Sequence, residues 1–401
     1  MSPGKHSDRQ WNPVLASLTA LAALALYSLP FLRVAPNRLV SGQPVYFSSL
    51  IYGHMYGPAW VLAFMLLAVL FVLLFAAFLK SGRACLWASL AMAVALIPGL
   101  LWLAASHASF TLQGESSMAR ISLGSAFWVA IFLLGLVVSD GLQRLRASGF
   151  QRVAVSAALL LAVSGMLASG GLGDLSLMKE YASRADRFTQ VVARHLQIVL
   201  LALACTLAIG LPLGWASHTH ARIGRALFPV LNIIQTIPSI ALFGLLMAPL
   251  ALLAASVPAL GRSGISGVGL APAVIALTLY GLLPVVRGTL AGLQQIPVAM
   301  SHAAHALGLT RYQIFIHVEL PLALPVLLGG VRTAAVAAVG LAAVTALIGA
   351  GGLGGVMFEG LFSNAQDVVL LGVLPIIALG MLLDLLFKAL IGLARRRARA
   401  P

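Results

Sequence analysis

Ten runs of roughly twenty apolar residues follow one another along this chain, and crossing the hydrocarbon core of a bilayer as an α-helix takes about that many. They lie at about 13–32, 58–79, 84–106, 121–139, 152–170, 195–216, 226–253, 268–286, 322–348 and 368–391. Hydrophobic residues make up 61% of the 401 positions and charged residues 9%, too few to cover a core of that composition in water. The predicted fold class is all-α, a polytopic transmembrane helix bundle of about ten spans. Prolines and glycines inside the later spans fit this reading, because neighbouring helices can satisfy the backbone groups they free.

The charge that remains is unbalanced, with 25 Lys+Arg against 10 Asp+Glu and a net charge of +15. In a soluble chain that balance would suggest nucleic acid; between apolar runs it reads as membrane orientation. With the N-terminus inside, Lys5, Arg9, Lys80, Arg83, Arg144, Arg146, Arg152, Arg222, Arg225, Arg287, Arg311, Lys388, Arg395, Arg396, Arg397 and Arg399 fall on inner segments. Arg33, Arg38, Arg120, Lys179, Arg184, Arg187, Arg194 and Arg262 fall outside, and Arg332 lies within a span. The two-to-one bias predicts cytoplasmic N- and C-termini in a plasma membrane, with lipid and not nucleic acid as a partner. Lys5 and Arg9 before an apolar run imitate a signal peptide, but without a clear small-x-small cleavage site the run is expected to be an uncleaved first span. Cys85 and Cys205 each sit in an apolar run, and with no Cys/His cluster neither a disulfide nor a metal site is expected.

The longest charge-rich polar stretch runs from Gly170 to Arg194 and marks the expected domain boundary. Residues 1–185 are read as an accessory bundle of about five spans, and 186–401 as a second bundle of about five. The two halves carry no convincing repeat.

Chemistry concentrates in the inner loop before the ninth span, 298–321. There Ser301-His302-Ala303-Ala304-His305-Ala306-Leu307-Gly308 leads to Val318-Glu319-Leu320-Pro321. Small alanines give a short helix a slim face that another protein can approach closely. Gly308 can take a left-handed conformation and turn the chain. A second short helix can run to Glu319, and Pro321 suits the first turn of the next span. Such an elbow can hand force from a soluble partner to a membrane bundle.

These residues resemble the EAA loop of ATP-binding-cassette (ABC) importer permeases: Glu-Ala-Ala, three residues, Gly, nine residues, an aliphatic, one residue, Leu-Pro. Ala303, Ala304, Gly308, Val318, Leu320 and Pro321 fit that pattern, while His302 stands where the family usually has Glu. The resemblance implies that the loop docks in a groove on a separate ATPase subunit. Two further stretches, Ile234-Gln235-Thr236-Ile237-Pro238-Ser239 and Leu347-Ile348-Gly349-Ala350-Gly351-Gly352-Leu353-Gly354, are similar to permeases importing glycine betaine, choline, carnitine and related osmoprotectants. The likeness spans roughly 190–395 and suggests the long variant with extra N-terminal spans. It implies a type I importer core in the C-terminal half, partnered by ABC ATPases, an extracytoplasmic substrate-binding protein and a second permease core, identical or shorter. ATP and Mg would sit on the ATPase, leaving this chain without a cofactor. An ABC permease for an amino-acid-like solute, a stand-alone secondary transporter, or a membrane scaffold that recruits an ATPase are the alternatives. A secondary transporter would need intramembrane acidic or His relays, of which the spans hold few.

Read from its own residues, Pro238 removes a donor mid-helix and kinks it. Gln235, Thr236 and Ser239 can then satisfy freed carbonyls or line a path, since broken helices are where transporters place polar routes; a kink alone is the plainer account. Gly349, Gly351, Gly352 and Gly354 fit the dinucleotide pattern G-x-G-x-x-G, but the required strand and acidic residue are missing, so an outer turn or a close-packing gate is expected. No G-x-x-x-x-G-K-[ST] occurs, so ATP phosphates are not cradled here, and no nucleophile–base arrangement stands out. Asp384 and Lys388, four apart on the last span, can neutralise each other, or Arg332 can pair with Asp384 between helices. His218 and His220 are expected to be solvated or lipid-facing, and His302 and His305 to lie on a plain interface. Aromatics are 7% of the chain and scattered, so a cage for a quaternary ammonium is expected on the binding protein.

Overall fold

The computed structural model describes residues 11–37, 40, 42–52, 59–78, 82–112, 118–262 and 264–397. Lys5, Arg9, Arg38, Lys80 and Arg399, used above for sidedness, lie outside the described residues. The chain forms two compact units, Met1–Ser183 and Arg184–Pro401.

The first unit opens with α1 (Pro13–Ser28), whose N-terminus is capped by the Asn12 side chain accepting from Leu15 N–H at 3.1 Å. The helix stops well short of residue 32. Pro30 has no N–H to continue it and pushes Leu29 into an extended conformation. The chain instead enters β1 (Pro30–Ala35), then β2 (Gln43–Tyr46) and the short α2 (Phe47–Tyr52). Two long helices follow, α3 (Ala59–Ala76) and α4 (Arg83–Leu112), and then β3 (Arg120–Leu123), where the hydropathy pattern predicted the start of a span. The strands form one antiparallel sheet in the order β2-β1-β3, with Leu32 opposite Leu123 and Val34 opposite Ile121. Thus the all-helical expectation gains a small sheet.

The unit closes with α5 (Ser125–Arg144), α6 (Gly149–Ala168) and α7 (Ser176–Ala182). Its helices interlock through one leucine- and alanine-rich core that includes Leu70, Leu73, Leu96, Leu100, Leu103 and Leu134. Helix α6 contributes no buried residue. Near α7, Glu180 is buried with Arg120 Nε 4.0 Å away, and Lys179 donates to the Ala119 carbonyl at 3.3 Å. Burial and the Arg120 charge hold the Lys179 ammonium below its usual range, against the opposite pull of Asp174.

The second unit begins with α8 (Ala185–Thr219), which absorbs the charged residues 185–194 that were expected to stay outside a span. Next come α9 (Ala221–Thr236), α10 (Ser239–Ser256), the short α11 (Pro258–Arg262) and α12 (Leu270–Gln294). The predicted single span at 226–253 is therefore two helices, parted at Ile237-Pro238 because Pro238 cannot donate into the ladder and excludes helical geometry from Ile237. Then follow α13 (Val298–Ala306), α14 (Arg311–Ile314), a π-helical turn (Phe315–Glu319) and α15 (Leu320–Val344). A 3₁₀ turn (Thr345–Ile348), α16 (Leu353–Phe362) and α17 (Gln366–Arg397) complete it.

Helix α12 packs closely between α8 and α15. Glycines make this approach possible: a Cβ on Gly210 would lie 2.9 Å from Val285, and one on Gly288 would lie 2.8 Å from the Gly330 Cα. Among the described residues nine helices are long and apolar enough to cross a membrane. The difference from ten arises at α1, which at 16 residues falls short of a full crossing.

Candidate functional site

The elbow is built from α13, Gly308 and α14. Gly308 has φ +83°, the left-handed conformation that ends α13, and its N–H donates to the His305 carbonyl at 3.0 Å. Thr310 then caps α14, accepting from Gln313 N–H while the Gln313 side chain accepts from the Thr310 N–H at 2.8 Å. The second helix does not stop at Glu319 as expected. It passes through a π-turn, in which Leu320 N–H donates to the Phe315 carbonyl, straight into α15 with Pro321 in its first turn. A π-turn here lets the ladder absorb a residue that lacks a donor. Elbow and span are thereby one continuous helical lever from Arg311 to Ile348.

Ala304 is buried at the base of the elbow, while His302, Ala303 and Gly308 are exposed and Val318, Leu320 and Pro321 are half-buried. A cavity of about 640 Å³ opens beside them, lined by Trp215, His218 and Thr219 from the end of α8 and by His302, His305, Arg311 and Glu319 from the elbow. His218 thus joins His302 and His305 around one cleft, which their spacing in the sequence did not foretell. No three His, Cys, Asp or Glu side chains converge on a metal position among the described residues.

A second polar feature runs along the seam of α9 and α12. Gln235 Nε2 donates to the Tyr280 carbonyl at 2.8 Å, and the Tyr280 hydroxyl donates to the Ile237 carbonyl inside the break. One turn and a half away, Arg287 Nη2 donates to Asn232 Oδ1 at 2.8 Å. Thr236 turns back on its own helix, donating to the Ile233 carbonyl at 2.7 Å. Ser239 opens α10 directly after Pro238. Gln235, Thr236 and Pro238 are exposed, so the seam lies on an open face of this unit. Sequence reasoning located the α9 side of the seam and missed Asn232, Tyr280 and Arg287. The available signal was Tyr280 four residues before Pro284, a carbonyl whose helical donor is removed.

The intramembrane charges form one cluster that contains both expected pairs. Arg332 reaches Asp384 Oδ1 at 2.6 Å through Nε and 2.5 Å through Nη2, and Lys388 Nζ reaches Asp384 Oδ2 at 2.7 Å. The carboxylate is fully engaged and the cluster carries one net positive charge.

At the opposite end of α8 lies the glycine turn. Gly349, Gly351 and Gly352 have φ of +78°, +79° and +79°, and Gly354 packs so closely that a Cβ would collide with the Ala343 carbonyl. Arg194 Nε donates to the Ala350 carbonyl at 2.9 Å, and Gly269 N–H donates to the Ile348 carbonyl at 2.7 Å. His195 is completely buried, with Nε2 3.2 Å from the Val339 carbonyl, and Arg184 pairs with Glu359 at 2.8 Å. A 3₁₀ turn precedes the glycines and α16 follows them, so the fingerprint pattern belongs to a helical re-entry, not to a strand–turn–helix nucleotide fold.

This arrangement, long glycine-packed spans with a helical elbow at one end, is that of a polytopic helical membrane protein. Residues 206–399 match the family described as binding-protein-dependent transport system inner membrane component, and residues 8–178 match the N-terminal domain of ABC transporter permease YehY. The chain belongs to the former family; it is an inner-membrane permease subunit of an ABC transporter. It is 38% identical over 206 residues to the osmoprotectant import permease protein OsmW of Salmonella typhimurium strain LT2, covering 51% of this chain and 91% of that one. It is 33% identical over 208 residues to the glycine betaine/carnitine/choline transport system permease protein OpuCD of Bacillus subtilis strain 168, covering 51% and 83%. Among solved structures, an inward-facing crystal form of the MetNI methionine ABC transporter aligns with a TM-score of 0.45 at 23% identity, covering 52% of this chain and 95% of that one.

Proposed function

We propose that this chain supplies the translocation path of an ABC importer for osmoprotectants of the glycine betaine, choline or carnitine type. The observation that carries this reading is the 38% identity to an osmoprotectant import permease over nearly that protein's whole length. Residues 186–401 form the importer core together with a second permease core, and 1–185 form an accessory bundle. ATP hydrolysis takes place on separate ATPase subunits that hold ATP and Mg and engage the 298–321 elbow. An extracytoplasmic binding protein delivers solute at the glycine-turn side, and both termini face the cytoplasm.

The geometry suits that work. Arg311–Ile348 is one lever, so a push on α14 is transmitted along unbroken helix into α15. The lever meets α12 backbone to backbone at Gly288 and Gly330. The open α9–α12 seam is polar within an apolar bundle, and its amide and hydroxyl groups become available to a zwitterionic solute when the bonds between them open.

Proteoliposomes holding the chain with its ATPase, second core and binding protein test the proposal. Labelled glycine betaine should accumulate only with ATP on the ATPase side and binding protein on the other. Uptake without the ATPase would identify a stand-alone transporter. A complex that recruits the ATPase and moves no betaine, choline, carnitine or amino acid would identify a scaffold.

A further inference from the structure

Two prolines interrupt the helical ladder on facing elements, and beside each lies a backbone carbonyl that needs a donor from elsewhere. Pro284 stands four residues after Tyr280 on α12 and has no N–H, so the Tyr280 carbonyl loses its i+4 bond. On the other helix α9 ends at Thr236 and α10 starts at Ser239, which leaves the Ile237 carbonyl in the gap made by Pro238. In a membrane such groups are costly unless satisfied internally. Here each is filled from the opposite helix: Gln235 Nε2 donates to the Tyr280 carbonyl at 2.8 Å, and the Tyr280 hydroxyl donates to the Ile237 carbonyl. The same residue, Tyr280, therefore accepts through its backbone and donates through its side chain.

We propose that Gln235 and Tyr280 form a reciprocal clasp that makes the break at Ile237-Pro238 and the kink at Pro284 move as a single joint, with Tyr280 a positioning residue for translocation. This rests on the permease reading given above. Opening either joint alone exposes two carbonyls and strands two side-chain donors, so partial opening is disfavoured and the seam has two states. The clasp lies on an open face, where Gln235 and Thr236 are exposed, so its opening is not blocked by packing within this unit. Bistability of this kind is what a hinge needs if ATP-driven closure is to be converted into one discrete rearrangement.

The test uses the complete transporter in proteoliposomes and reads solute moved per ATP hydrolysed. Tyr280→Phe and Gln235→Leu each remove one bond and should lower that ratio roughly fivefold, the size expected for one net hydrogen bond, with assembly and ATPase rate retained. The double variant should be no worse than the worse single one, because either loss opens the clasp. Pro284→Ala returns an intrahelical donor to the Tyr280 carbonyl but no tie to α9, so it should restore the stability of Gln235→Leu without restoring its ratio. Losses that multiply in the double variant, an unchanged ratio in Tyr280→Phe, or a Pro284→Ala change that restores coupling to Gln235→Leu would overturn the clasp. Spin labels at Ile240→Cys on α10 and Ile275→Cys on α12, with Cys85 and Cys205 replaced, give a reading that does not need transport. The distance distribution should be narrow with Tyr280 and broad with Phe; identical distributions refute the clasp. A wild-type complex that moves none of betaine, choline, carnitine or amino acid would instead sink the importer reading and leave the label experiment to judge the clasp.

Discussion

Gly308 offers the sharpest test of the elbow, because its cost can be worked from geometry alone. Its φ is +83°, and a Cβ added there would meet no atom within 4 Å. Gly308→Ala therefore introduces no clash, and its whole penalty is the left-handed backbone, about 1–2 kcal/mol. That lowers the population of the native elbow relative to alternatives by a factor of about 5–30. Gly308→Asn should cost less than Ala, since its short amide tolerates this region. Gly308→Pro combines two losses: the ring locks φ near −65°, and the bond from the Gly308 N–H to the His305 carbonyl at 3.0 Å disappears. No elbow of the observed shape is compatible with it. Membrane insertion should survive in all three, because the spans do not depend on this turn. Copurification of the ATPase and ATP-driven uptake should fall in the order Gly, Asn, Ala, Pro, with Pro inactive. A Pro variant that couples normally, or an Ala variant as defective as Pro, would refute the reasoning that the left-handed turn sets the docking geometry.

Charge, close packing and burial each set a further expectation. Asp384→Ala strands Arg332 and Lys388 within a span, at about 2.5–3.5 kcal/mol for each uncompensated charge that cannot reach water; a lower melting midpoint in detergent, partly restored by adding Arg332→Met, is the expected result. Gly354→Val drives a side chain into the Ala343 carbonyl and should prevent stable assembly of α16, whereas Gly355→Ala, with nothing within 4 Å, should be neutral or stabilising by about 0.5–1 kcal/mol; size-exclusion profiles and melting midpoints separate the two. His195→Leu removes the contact with the Val339 carbonyl together with a buried Nδ1 that has no partner among the described residues, so it should change stability by no more than about 1 kcal/mol by thermal unfolding.

Much of this architecture is legible from hydropathy, because a membrane demands length and apolarity before anything else. The elbow was legible for a different reason: Ala303, Ala304, Gly308 and Pro321 are residues whose backbone behaviour is nearly context-free. What stayed hidden depends on partners distant in sequence. Arg33 and Val34 read as the flank of a span, yet they lie in β1 because β3, some ninety residues on, supplies Ser122 and Ile121 to pair with them. Tyr280 reads as an ordinary aromatic in a span until Gln235 is seen to need its carbonyl. His218 acquires a setting only when the far end of α8 meets the elbow across one cavity. The π-turn at Phe315–Glu319 was equally invisible, since it is the helix's local answer to Pro321 and not a pattern of its own.

The two units hold their helices by different means, and the difference bears on motion. In the first, bulky leucines interlock across helices in one continuous core, with Leu73, Leu96, Leu100 and Leu103 nearly or wholly out of contact with solvent. Shifting one helix there by a residue would force many side chains off their rotamers, so the packing resists sliding. The second unit divides its buried residues among three smaller clusters, and its central crossings are made by glycine against backbone or β-branched side chains: Gly210 on Val285, Gly214 on Thr289, Gly281 on Thr206 and Gly288 on Gly330. Val285, Thr289 and Thr206 fill the notches left by these glycines, so α8 and α12 are keyed together, while α15 meets α12 backbone to backbone at Gly288 and Gly330. Shear of packed helices and bending at a few joints are the two motions by which compact bundles change state. In the second unit the helical ladder is interrupted at Pro238 and loses a donor at Pro284, and Pro284 lies on the helix that α15 contacts. Displacement of the α15 lever is therefore expected to reach the α9–α12 seam through α12 itself. Gly330→Ala, whose Cβ would collide with the Pro284 carbonyl, should part α15 from α12 and lower ATP-driven transport in a chain that still inserts, while Gly329→Ala on the same helix, with nothing within 4 Å, should leave the rate unchanged.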